Sequence, residues 1–136
     1  MKRILLALLP LSLLMGCVSP AERVPLQPLP ENGQVLPYAE LLTRVRAQAN
    51  AANDAFYLNH WNEVEDLARG IEQTARFLSK AQEVPPKNKD ILNEVTSDLA
   101  KHARELKTAA AAKNEKDVNE AMKQITIKIR QLRLTD

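Results

Sequence analysis

From Pro37 to the carboxyl end, apolar residues recur at steps of three and four, and only Pro85-Pro86 interrupts them. That spacing is the period of an α-helix, so it fixes the kind of element these 100 residues can form. The first run is Tyr38, Leu41, Leu42, Val45, Ala49, Ala52 and Phe56, with Pro37 suited to a first helical turn. It breaks at Leu58-Asn59-His60. The second run is Trp61, Val64, Leu67, Ala68, Ile71, Ala75 and Leu78, opened by Asn59 or His60, with Glu63, Glu65 and Asp66 near its positive end. It stops before Pro85-Pro86, because a residue that precedes proline is pushed out of the helical region.

Ile91, Leu92, Val95, Leu99, His102, Ala103, Leu106 and Ala110 make the third run, with Asn88 as its expected cap; it fades in Ala109 to Ala112. Lys113-Asn114 then turns the chain. Asn114 caps a fourth run, Val118, Ala121, Met122, Ile125, Ile129 and Leu132, whose negative end carries Lys128, Arg130 and Arg133. Each run of about 20 to 24 residues makes a rod of roughly 30 to 36 Å at 1.5 Å per residue. Short connections make successive rods antiparallel, so the expected fold is all-α, an antiparallel up-down-up-down four-helix bundle packed at crossing angles of about 20°. The only short apolar alternation, Ile125, Ile127, Ile129, lies inside a stronger helical pattern. With 4% aromatic residues, Leu, Ile, Val and Ala must fill the core.

Ahead of this domain the texture differs. Between Val18 and Leu36 stand Pro20, Pro25, Pro28 and Pro30, with Asn32-Gly33 as a turn signal and no apolar period. The segment reads as a tether, and in polyproline II geometry it would extend about 3.1 Å per residue. Pro25 and Pro28 also fit a PxxP ligand, but a spacer explains the same prolines. Further upstream, Lys2 and Arg3 precede an apolar stretch from Ile4 to Leu14 that ends in Leu14-Met15-Gly16-Cys17. This is the pattern of a secretory signal. It is too short for the roughly 20 residues that span a bilayer, and Pro10 sits inside it.

Leu14, Met15, Gly16 and Cys17 resemble the lipobox of bacterial lipoproteins: a Leu, a variable position, a small residue, then Cys. The resemblance implies that residues 1–16 are removed, that the Cys17 sulfur carries a diacylglyceryl group and its new amino group an acyl chain such as palmitate, and that a lipid membrane is the anchor. Val18 stands where the family places an inner-membrane retention aspartate, which implies the outer membrane, facing the periplasm. Cys17 is the only cysteine, so no intramolecular disulfide can form. Each acyl methylene buried in lipid contributes about 0.8 kcal/mol, so two or three chains hold a protein on a membrane. The expected division is signal peptide 1–16, lipidated cysteine and tether 17–36, and bundle domain 37–136.

Loss of the signal removes two of the 19 basic residues and none of the 17 acids, leaving 17 of each. A neutral mature chain has no long-range field for nucleic acid, and none is expected as a partner.

Asn59-His60-Trp61 opens the second run, followed by Val64-Glu65-Asp66-Leu67-Ala68 and by Ile71, Ala75 and Leu78. In this spacing and alanine-rich texture the chain from Pro37 to about Arg133 resembles the helical bundle of the cytochrome c-prime and cytochrome b562 group. That likeness implies haem against the last helix, attached in the c-type members through Cys-x-x-Cys-His. Ile125 to Leu132 contain neither cysteine nor histidine, so covalent haem and its electron-transfer role are not expected. Non-covalent haem would need a methionine on the first helix and a histidine on the last, whereas Met122 is on the fourth run and His102 on the third. Counted from the turn at Asn114, these two differ in level by about 6 Å. His60, His102 and Met122 are the candidate ligand or metal residues; no cofactor is expected, since two separate histidines do not make a zinc site.

Ser79 and Ser97 lie within helices with no glycine elbow and no base at a set spacing, so no catalytic residues are expected and the chain reads as a non-enzyme. The acids read as solvated faces with i to i+4 partners, such as Asp98 with His102 and Glu120 with Gln124. Gly70, in mid-helix, costs about 1 kcal/mol relative to alanine and points to a bulky neighbour packed close. Tyr57, Leu58, Phe77, Ile127 and Leu134 fall beside the main stripes; wide stripes are expected to bury them, and the alternative is that several exposed together form a partner-binding patch or a dimer seam. Two function classes follow. The first is a non-catalytic accessory or interaction module, lipid-anchored in the envelope and bound to an envelope protein. The alternative is a small-ligand, metal or haem-binding bundle, with an internal cleft walled by His60, His102 or Met122.

Overall fold

A computed structural model of the chain describes residues 27–31 and 33–133. Among these there are five helices and no strand: α1 (Tyr38–Tyr57), α2 (Trp61–Leu78), α3 (Pro86–Lys89), α4 (Leu92–Ala111) and α5 (Glu115–Gln131). Four are long and carry the four apolar runs. The one-turn helix α3 is additional, and it starts where proline belongs, at the first helical position.

The long helices pack in chain order. α1 lies against α2, α2 against α4 and α4 against α5, while α1 and α5 meet along a shorter seam. Their stripes form one core in which Leu41, Ile71, Leu99, Leu106 and Ile125 are wholly buried. Ala52, Ala68 and Ala103 are also fully buried; such small side chains let helix backbones approach closely.

Two turns show how helices end here without glycine. Asn59 and Lys113 adopt φ of 59° and 52°. At the first, His60 N–H donates to the Ala55 carbonyl and Asn59 N–H to that of Phe56; at the second, Asn114 N–H donates to Ala109 and Lys113 N–H to Ala110. Each is the paired closure that satisfies the last carbonyls of a helix, and it requires a left-handed residue just past the end. Asn114 then caps α5 as expected, its side chain accepting from Asp117 N–H at 3.2 Å.

Asn88 does not cap the third long helix. That helix begins at Leu92 behind Ile91, with no side-chain cap, and Asn88 is buried in α3. Its amide donates to the Tyr38 hydroxyl at 2.9 Å and to the carbonyls of Leu132 and Arg133 at 3.3 and 3.2 Å. Likewise neither Asn59 nor His60 caps α2 through its side chain: His60 is the cap residue by position only. The reason for the first departure is competition for a partner. A buried cluster of carbonyls and a phenol needs a donor more than a solvated helix start does.

Candidate functional site

Leu14, Met15, Gly16 and Cys17 lie outside the described residues. The three candidate ligand residues fall on separate elements. His60 is exposed at the α1–α2 turn, its Nδ1 3.2 Å from Glu63 Oε2. His102, on α4, is mostly covered and has its Nδ1 2.7 Å from Glu105 Oε2. Met122 is a buried side chain on α5, within the common core. Each histidine is taken up by its own i+3 glutamate, and among the described residues no cluster of three His, Cys, Asp or Glu is placed to hold a metal. Asp98 does not pair with His102 as expected; it reaches Lys128 Nζ on α5 at 2.5 Å, because the facing helix brings a cation closer than the same helix does. Gln124 does donate to Glu120, at 2.8 Å.

The segment before α1 is held against the helices in its described part. Leu29 is 8% exposed, and the Gln73 side chain clips its peptide on both sides. Leu29 N–H donates to Gln73 Oε1 and Gln73 Nε2 donates to the Leu29 carbonyl, both at 2.9 Å. Glu31 comes to 3.9 Å from Arg76, and at the far end Gln82 N–H donates to the Leu36 carbonyl while Tyr38 N–H donates to that of Gln82. Residues 29–31 and 33–36 therefore run as a strap alongside α2; residues 17–26 of the expected tether lie outside the described residues. The strap and α1 form a shallow groove in which Arg44 lies beside Leu29, Leu36 and Thr43. Arg44 Nε and one terminal nitrogen are buried there without a hydrogen-bond partner, a desolvation cost of about 1 to 3 kcal/mol. No periodicity in the sequence marks Leu29, Gln73 or Arg44; the only available signal is that apolar residues, Leu29 among them, recur between the prolines.

The expectation that wide stripes bury the leftover apolar residues fails at three positions. Tyr57 is 72%, Leu58 55% and Ile127 38% exposed, Phe77 is half-buried, and Leu134 lies outside the described residues. Tyr57 and Leu58 stand where α1 runs out, at the last residue and its cap, so no neighbouring helix extends over them. Phe56 sits between two rings, 5.7 Å from Tyr57 and 5.6 Å edge-on to Trp61. Three of the five aromatic residues are thus gathered at the α1–α2 turn. Lys113, from the α4–α5 turn, lines a shallow cleft with Asn59, His60 and Trp61 at the same end.

Comparison with known protein families, curated proteins and solved structures yields no match, so a functional reading rests on these residues. No helix among the described residues is long and apolar enough to cross a membrane.

Proposed function

We propose that the chain is a lipoprotein of the bacterial envelope, anchored through acylated Cys17 on the periplasmic face of the outer membrane, where its helices act as a non-catalytic accessory module. The observation that carries this reading is the Leu14-Met15-Gly16-Cys17 box directly behind a short apolar run with basic residues ahead of it. In the same reading the four long helices form an up-down-up-down bundle. Supporting that topology, α1 packs on α2, α2 on α4 and α4 on α5, while the α1–α2 and α4–α5 turns share one end.

Two features favour an interaction module over a ligand carrier. The apolar stripes of all four long helices fill one core, and the uncovered apolar side chains Tyr57 and Leu58 lie together outside it. A carrier of metal or haem would bring its ligands to one wall, whereas His60, His102 and Met122 lie on a turn, on α4 and on α5, with both histidines engaged by glutamates.

The test is expression of the whole precursor in a bacterium fed a palmitate analogue that can be tagged. Label on the wild-type chain, its loss in Cys17→Ser and recovery of the wild type in outer membranes are the expected results. A chain that takes up no label overturns the anchoring. Haem or metal bound at one equivalent to the purified protein overturns the module reading.

A further inference from the structure

We propose that the end of the molecule carrying the α1–α2 turn rests on the lipid surface itself, with Tyr57, Leu58 and Trp61 in the headgroup region. This rests on the anchoring of Cys17 proposed above.

The course of the strap gives the orientation. Leu36 is bonded to Gln82, Glu31 faces Arg76, and Leu29 is clipped by Gln73. Traced back from Pro37, the strap therefore travels along α2 toward that helix's amino terminus, which is Trp61. From Gln73 to Trp61 the helix has about 18 Å left to run, at 1.5 Å per residue. The twelve residues from Leu29 back to Cys17 reach up to about 40 Å when extended. If those residues kept the heading of the described strap, their length would be enough to bring Cys17 to the aromatic end.

The chemistry of that end matches a lipid surface. Tyrosine and tryptophan are the side chains that settle between acyl chains and water, an apolar ring with one polar atom. Tyr57 and Leu58 are the most exposed large apolar residues among those described. Lys113 adds a donor for lipid phosphate, and Glu63, the acid that lines the same cleft, is engaged by His60. The contact needs little intrinsic affinity, because a short tether holds the end at an effective concentration of about millimolar. Since the end sets Lys113 and Lys116 against Glu63, Glu115 and Asp117, it has no net attraction for anionic lipid, so adsorption there depends on apolar contact and persists in high salt. The opposite end, where Lys80, Lys87, Lys89 and Arg133 outnumber Glu83 and Asp90, would give a contact that salt weakens.

Trp61 is the only tryptophan and reports on this directly. The acylated full chain is reconstituted in phosphatidylethanolamine and phosphatidylglycerol vesicles containing lipid brominated near the headgroup, and Trp61 emission is read in low and high salt. Quenching of Trp61 at both salt levels is expected. Tyr57→Ser with Leu58→Ser, both exposed and so without consequence for the core, stays in the vesicle pellet but loses the quenching. A second reporter sits at the other end: Lys89→Cys carrying a dye, usable because an acylated Cys17 has no free thiol. A pelleted chain with unquenched Trp61, or with the dye quenched instead, overturns the proposal while the anchoring stands. A chain that does not pellet overturns the anchoring and this inference with it.

Discussion

Asn88 donates a 2.9 Å hydrogen bond to the phenol oxygen of Tyr38, 50 positions earlier, and that phenol donates at 2.6 Å to the Leu132 carbonyl. One clasp thereby ties the start of α1, the single turn α3 and the end of α5, where the α1–α5 seam is shortest of the long-helix contacts. Burial holds the Tyr38 hydroxyl above its ordinary pKa, against the lowering effect of the Asn88 bond and of Arg46.

Asn88→Ala removes the three bonds of its amide, leaves the Arg133 carbonyl without that donor while Tyr38 and the Leu132 carbonyl keep only each other, and opens a small void. The expected loss is about 2 to 3 kcal/mol, read as a fall of about 10 °C in the thermal midpoint. Asn88→Asp places a charge against two carbonyls and is expected to cost at least as much. An unchanged midpoint in both would show that the clasp contributes nothing to stability.

Gly70 is explained by one neighbour. A Cβ built there would lie 2.7 Å from Nε2 of Gln48, a side chain only 2% exposed whose Oε1 accepts from Thr74 at 2.9 Å. Gly70→Ala therefore gains about 1 kcal/mol of helix propensity and loses more by displacing Gln48. In a Gln48→Ala background the obstacle is gone, and the same substitution is expected to stabilise by up to about 1 kcal/mol. The reversal of sign between the two backgrounds, measured by denaturant titration, is the test; equal effects would refute the contact.

These two sites mark what the sequence made legible and what it did not. The four long helices, the stop before Pro85-Pro86 and the Asn114 cap all follow from residues within a few positions of one another, where period and capping chemistry act. The bulky neighbour of Gly70 was expected in kind, but that it is polar Gln48 was not, because periodicity says which face is inside and nothing about a buried amide. Asn88, assigned as a cap, and Asp98, assigned to His102, went wrong the same way. Local rules supplied a partner, and tertiary packing supplied a better one. Leu29 was hidden because a strap in extended conformation has no period to reveal it.

The Gln73 clip predicts a local effect. Removing both hydrogen bonds with Gln73→Ala costs about 1 to 3 kcal/mol of strap docking, since each contributes about 0.5 to 1.5 kcal/mol. The amides of Leu29, Glu31 and Leu36 should then exchange with solvent faster than in the wild type, while those of Leu99 and Leu106 in the core change little. Leu29→Ser should do the same by withdrawing the buried leucine. Exchange that rises equally throughout the helices would mean the strap is part of the global fold.

Lys113 is a non-glycine residue at φ 52°, a conformation that costs an L-residue about 1 kcal/mol or more. Glycine at C′ removes that strain, offset partly by the greater freedom of the unfolded chain. Lys113→Gly is expected to raise stability by about 0.5 kcal/mol, whereas Lys113→Val, β-branched, lowers it. A glycine variant less stable than the parent would mean that the lysine side chain contributes more than its backbone costs.

Asp98 and Lys128 give the chain an acid-sensitive contact between α4 and α5. The Lys128 hydrogen bond holds the Asp98 carboxyl below its ordinary value, assisted by the charges of Lys128, His102 and Lys101 and opposed by desolvation. A carboxyl lowered in the folded state adds stability that is present above the unfolded value, near 3.9, and is lost as pH falls through the folded value. Asp98 is 38% exposed, so solvent screening keeps the contribution under about 1 kcal/mol. Asp98→Asn should therefore melt slightly below the parent at neutral pH, and the gap should shrink as pH drops below about 4 and close once Asp98 is protonated in the folded chain. Raising the salt concentration at neutral pH should narrow it too, though less than for a fully exposed pair, because Lys128 is 17% exposed. A gap that stays constant from neutral pH into acid would assign the difference to lost packing and not to the charge.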